Sequence, residues 1–151
     1  ENKRAPMYWN KDGNAEGMCK GPADMDDFRM KFDSLEEQQE DPDSIYNYVK
    51  QVIRVRNQNP VIARGTTAYL EQYSGEQCFA LTRSYEGSNL LLLGNTSAEA
   101  VSVDLTGLTV GGTTAEELVL LGELYTGEET AERAGTVVTL PAYSILILGE
   151  E

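Results

Sequence analysis

Beyond Pro60, short runs rich in β-branched and aromatic residues alternate with turn signals, and no run is longer than a strand. That alternation restricts the second half of the chain to an antiparallel all-β domain. Strands are expected near 67–73, 78–85, 89–95, 100–105, 117–121, 136–140 and 143–149. Ser74-Gly75-Glu76-Gln77 and Glu86-Gly87-Ser88-Asn89 carry the chemistry of hairpin turns. Gly107, Gly111-Gly112, Gly127 and Gly135 punctuate the remainder. In the second strand Phe79, Leu81 and Tyr85 alternate with Ala80, Thr82 and Ser84, which predicts one buried face. Leu90 to Leu93 and Ile145 to Leu148 do not alternate, so both are expected as central strands covered on both sides. About seven such strands predict an antiparallel Greek-key β-sandwich.

The first sixty residues read differently. Residues 1–33 show no period and predict a long irregular loop, a length usually tied to function or to a neighbouring surface. Ser34-Leu35-Glu36-Glu37 fits a capping box and predicts a short helix to about Glu40. Asp41 offers a second N-cap, with Pro42 at the first helical position. Ile45, Tyr48, Val49, Val52, Ile53 and Arg56 then follow helical spacing and predict one buried stripe, opposite Asn47, Lys50, Gln51 and Arg54. Pro60 ends this helix near Asn57. The expected division is 1–60, loop and helices, and 61–151, sandwich.

Charge and residue types exclude several functions. The net charge of −13, from 25 acidic and 12 basic residues, repels phosphate backbones and anionic membranes. No apolar run is long enough to cross a bilayer. The chain has no histidine, which removes the commonest general base and zinc ligand. Cys19 and Cys78 are not spaced as a metal motif; Cys78 is expected as a small buried residue, a bridge to Cys19 being the alternative. Asp24, Asp26 and Asp27 lack the spacing and glycine of an EF-hand and read as a solvated loop. No metal or cofactor is expected. No signal peptide is present, and the first Met is Met7, which predicts a processed or excised chain.

Three motifs in order carry a resemblance: Arg4, Pro6, Met7 and Trp9; Asp41, Pro42, Ser44, Ile45 and Tyr48; and Arg54, Arg56 and Pro60. With Leu140, Pro141, Tyr143 and Ser144 near the end, they resemble the C-terminal part of the bacterial α-amylase family of glycosidases, glycoside hydrolase family 13. The resemblance runs from about residue 4 to the end. It implies the loop after the last barrel strand, the last barrel helix and the β-sandwich called domain C. It also implies that the Asp nucleophile, the Glu acid/base and the further Asp beside a His lie outside this chain. Retention needs two carboxylates about 5 Å apart, placed at the C-terminal ends of barrel strands. The chain alone is therefore expected to be inactive and monomeric. Its expected partner is the catalytic barrel of the same parent chain, with an α-glucan as the possible ligand, in a bacterial and extracellular setting.

By the same resemblance, Tyr8 and Trp9 are the candidate substrate-binding residues, since their loop borders the cleft. The competing reading packs Met7 and Trp9 as a plug between loop and barrel. Glu36-Glu37, Glu116-Glu117 and Glu128-Glu129 are carboxylate pairs whose neighbouring side chains point apart, and dipole pairing explains the first. Tyr69, Tyr73, Tyr85 and Tyr125 could form an aromatic platform, with cross-strand packing as the alternative. Asn95-Thr96-Ser97 matches a glycosylation sequon and reads as a chance match. Loss of the barrel neighbours is expected to expose the helix stripe. Two other readings of the whole stay open: an independent carbohydrate-binding module and an immunoglobulin-like spacer.

Overall fold

The computed structural model describes residues 6–12 and 31–150. Two compact units are distinguished, Glu1–Lys50 and Gln51–Glu151. Three helices are described: α1 (Leu35–Glu40), α2 (Ile45–Gln58) and α3 (Pro60–Arg64). Ten strands follow: β1 (Thr66–Tyr69), β2 (Cys78–Tyr85), β3 (Ser88–Asn95), β4 (Val101–Asp104), β5 (Thr109–Val110), β6 (Thr113–Thr114), β7 (Val119–Leu124), β8 (Glu132–Ala134), β9 (Val137–Leu140) and β10 (Ile145–Gly149). Short 3-10 turns occupy Glu71–Tyr73 and Ala115–Glu117.

In the first unit, α1 begins as the sequence predicts. Ser34 Oγ accepts from Glu37 N, and Glu37 Oε2 accepts from Ser34 N at 2.9 Å, the reciprocal pair of a capping box. The start of α2 is corrected. Asp41 does not cap it; its Oδ1 accepts from Asp43 N at 3.0 Å in a tight turn. The cap is Ser44, whose Oγ accepts from Asn47 N at 3.2 Å while its carbonyl takes Tyr48 N at 2.9 Å. The Ser44 hydroxyl also donates to Gln38 O. Asn47 Nδ2 donates to Gln38 O at 3.0 Å and Asp41 O at 2.8 Å, so carbonyls left over at the end of α1 find donors.

The second unit is a mainly antiparallel β-sandwich of the domain C type. One sheet has the order β1-β2-β3-β10-β7, the other β4-β9-β8, and β5 pairs with β6. The chain leaves the first sheet after β3, returns as β7 at its edge, crosses to β8 and β9, and returns again as β10 between β3 and β7, so the strands repeatedly change sheets. Ala80, Leu91, Leu93, Leu146 and Leu148 from the large sheet meet Val103, Val138 and Leu140 from the small one. Leu105, Leu108, Val110, Ala115 and Leu118 close the same core. Leu90 and Ile147 point the other way and pack with Val61, joined by Val55, Ile62, Tyr85, Leu92 and Ile145. Both faces of β3 and β10 are thus covered, which explains their unbroken apolar sequences.

Several expectations need correction. The stretch 60–64 forms α3 rather than a break. Proline removes a donor in mid-helix but suits a first helical position, and Pro60 does both jobs in turn. Arg83 holds the end of α3, donating from Nη2 to Ile62 O at 2.7 Å. In β2 the fully buried side chain is Ala80; Phe79, Leu81 and Tyr85 are only half-buried on the opposite face. In place of one strand over 67–73, β1 ends at Tyr69 and a 3-10 turn follows over Glu71–Tyr73. The last strand starts at Ile145, because Tyr143 takes a left-handed φ of 47° in the preceding turn. The short strands β5, β6 and β8 have too few residues to show a period.

Two glycine positions are required by geometry. Glu86 (φ 50°) and Gly87 (φ 86°) form the two-residue turn joining Tyr85 to its partner Ser88, the type I′ arrangement that matches strand twist. Gly94 pairs with Phe79, and a Cβ added there would run into the Phe79 ring. The ring lies over the bare backbone, an aromatic covering a strand glycine. Gly94→Ala is expected to destabilise by about 1–3 kcal/mol through overpacking. Thermal melts of the single variant and of the Phe79→Ala, Gly94→Ala double variant check this: in the Phe79→Ala background the penalty should largely vanish.

Candidate functional site

The candidate residues Tyr8 and Trp9 sit on the first described stretch, and α1 fixes their backbone. The first turn of a helix leaves N–H groups without intrahelical partners. Here Leu35 N donates to Tyr8 O at 3.0 Å and Glu36 N to Trp9 O at 3.1 Å. Glu36 Oε2 in turn accepts from Lys11 N at 3.2 Å. The capping box supplies the remaining acceptors, so the loop carrying Tyr8 and Trp9 is part of the helix start. Tyr8 is half-buried, whereas Met7 and Trp9 are 45% and 48% exposed.

Tyr8 lines a cavity of about 540 Å³ with Met7, Phe32, Asp41, Ser44 and Ile45. Trp9 does not line it. The cavity thus separates the two candidates, one facing into it and one beside it. Its wall is mostly apolar, with Asp33, Asp41 and Asp43 on the polar side. Such a wall can pack against apolar surface or against a sugar face.

Three carboxylates elsewhere are held in local hydrogen bonds. Glu37 is held below the usual carboxylate range by the Ser34 hydroxyl and then by Ser34 N–H. Asp104 is lowered by the Thr106 hydroxyl, Thr106 N–H and the Thr136 hydroxyl. Glu117 is lowered by the Thr114 hydroxyl and N–H, in a second capping box. A general acid needs the opposite shift. Tyr125 is pushed up to about 12, first by burial and then by its hydrogen bond to Glu123; its hydroxyl donates to Glu123 Oε2 at 2.6 Å and accepts from Ala131 N at 3.0 Å.

The three lowered carboxylates set the sign of the acid response. Their stabilising effect is present above the ordinary values of 3.8 for Asp and 4.5 for Glu. It is lost as pH falls through the lowered folded values. Melting temperature is therefore expected to fall on acidification below those values. The fall should be shallower in Asp104→Asn, measured by thermal melts across acid pH.

The aromatic platform is not formed. Tyr69 is 61% exposed at the end of β1. Tyr73 leaves the sheet in a 3-10 turn, packs on the sandwich core and donates to Thr106 O at 3.2 Å. Tyr85 packs in the outer cluster with Arg64 over its ring at 6.0 Å, and Tyr125 is held by Glu123. Cys78 is a half-buried free thiol. Cys19 itself, with Asp24, Asp26 and Asp27, lies outside the described residues. Among the described residues no cluster of three His, Cys, Asp or Glu side chains could hold a metal. No described helix is long and apolar enough to cross a membrane.

Sequence reading missed the polar residues that join elements. Asn47, expected on the face opposite the apolar stripe, donates to the carbonyls at the end of α1. Asn95, read only as part of a sequon, is buried at the junction of the two sheets. Arg133 donates from Nη1 to Leu118 O at 2.6 Å and also to Ala115 O, holding the 3-10 turn before β7.

No protein-family model matches the chain. Solved structures do. Amy13B of Eubacterium rectale superposes with a TM-score of 0.83 and 37% identity over 96% of this chain and 27% of its own. The α-amylase from H. orenii gives a TM-score of 0.66 and 23% identity over 97% of this chain and 28% of its own. The trehalulose synthase MutB from Pseudomonas mesoacidophila MX-45 gives 0.60 and 24%, over 78% and 20%. The chain therefore spans about a quarter of the length of the proteins it resembles. In sequence motifs and in fold it resembles the C-terminal part of bacterial α-amylase-family glycosidases of glycoside hydrolase family 13, the last barrel loop and helix followed by domain C.

Proposed function

We propose that this chain is the non-catalytic C-terminal part of an enzyme acting on α-glucans, and that its sandwich and α2 stabilise that enzyme's catalytic barrel. The observation that carries the reading is the exposed side of α2. Ile45, Val49 and Ile53 recur every four residues and are 67%, 46% and 53% exposed, although their spacing predicts a buried stripe. Among the described residues α2 buries none fully. A helix row of this kind needs a cover, and a barrel wall is the cover the family resemblance supplies. Residues 1–60 then belong with the barrel and 61–151 form the sandwich. Tyr8 and Trp9 border the substrate cleft of the whole enzyme, where the cavity-facing Tyr8 contacts sugar.

The 37% identity with Amy13B over nearly the whole chain supports the assignment. The sandwich does not select the reaction: similar folds occur in an α-amylase and in a protein described as an α-glucosyl transfer enzyme. The test is a starch-hydrolysis assay on the purified chain, where release of reducing ends should stay at the level of a blank. Turnover above that level, retained after repurification, would refute the non-catalytic reading.

A further inference from the structure

The sequon Asn95-Thr96-Ser97 is built into the latch between the two sheets. Asn95 ends β3 in the large sheet and is 3% exposed. Its Nδ2 donates to Glu99 O at 2.7 Å, Pro141 O at 2.8 Å and Leu140 O at 3.2 Å. Its Oδ1 accepts from Ser97 N at 2.9 Å and Ser97 Oγ at 2.8 Å. Its own N–H donates to Ser144 O at 2.9 Å. One side chain thereby ties the exit from β3 to the end of β9 and the entry to β10, two of the places where the chain changes sheets.

We infer that N-glycosylation of Asn95 and folding of the sandwich exclude each other. Glycosylation from a lipid-linked diphospho-oligosaccharide forms a bond between sugar C1 and Nδ2. The C1–oxygen bond to the diphosphate breaks, and Nδ2 gives up a proton. The product keeps one N–H where three carbonyls now converge, and it carries a bulky polar group that belongs on a surface. The folded domain presents neither the atom nor the room. An unfolded chain presents both, because the sequon requirement is met in sequence. A chain modified before folding loses the latch and cannot close the two sheets.

Expression in a eukaryotic secretory host tests this. Wild type is compared with Leu91→Asp, which places a carboxylate in a fully buried core position and keeps the chain unfolded. Each pool is separated by protease resistance and mapped at Asn95 by mass spectrometry. Glycan is expected on Leu91→Asp and on any protease-sensitive wild-type chains, and absent from the protease-resistant wild type. Glycan at Asn95 of a protease-resistant domain would overturn the inference. So would an unmodified Leu91→Asp chain, since the sequence rather than the fold would then be excluding the sugar.

Discussion

Asn95→Ala is expected to lower the stability of the sandwich by about 3 kcal/mol, the scale for orphaning several buried polar groups at once. The substitution leaves the carbonyls of Leu140 and Pro141 without their donor. Ser97 N loses its acceptor as well. Alanine fills none of these roles, and the site lies too deep for water to replace all of them freely. Denaturant titration checks it: the midpoint should drop with an unchanged slope. A loss under about 0.5 kcal/mol, the level of an ordinary surface change, would show that the latch is not holding the sheets.

A loss of similar size is expected at the centre of the core. Leu91 is fully buried and stands opposite Thr82 and Leu148 in adjacent strands. Leu91→Ala removes several methyl groups from a site bounded by both sheets, and such cavities cost about 3–5 kcal/mol. The matched control is Leu120→Ala on the edge strand β7, where the leucine is 53% exposed. That change should stay within about 0.5 kcal/mol. Equal losses at the two positions would contradict the division between core and edge described above.

What was legible in the sequence follows from how each element is stabilised. The capping box at Ser34 is local chemistry, and it was readable. So were the central strands, since burial on both faces removes alternation from Leu90–Leu93 and Ile145–Leu148. The turn at Glu86-Gly87 was readable because Gly87 supplies, at φ 86°, the left-handed backbone such a turn needs, though it closes one residue earlier than expected. Contacts distant in sequence were not readable. Nothing local marks Asn95 as a hub for carbonyls about 45 residues away, or Arg83 as the clamp on Val61 and Ile62. Periodicity also reports that a stripe wants burial, not what buries it. That is why α2 reads as buried in sequence and shows an exposed row in structure.

The candidate site was legible only through motif resemblance. Composition gave no reason to choose Tyr8 and Trp9 over the other aromatics. The structure adds that their carbonyls complete the first turn of α1 and that the cavity is lined by Tyr8 and not by Trp9. The tyrosines of the sandwich fail as a platform for a simple geometric reason. A 3-10 turn interrupts the strand pattern at Glu71–Tyr73 and sends Tyr73 to the core.

The central claim is that this chain completes a catalytic barrel encoded ahead of it. The most direct measurement is the sequence of the reading frame upstream of Glu1. The account predicts roughly 250 or more residues of alternating strand and helix periods, about the size of such barrels, with an Asp and a Glu suited to retaining chemistry. A stop codon directly upstream, or an upstream domain without that alternation, would contradict it.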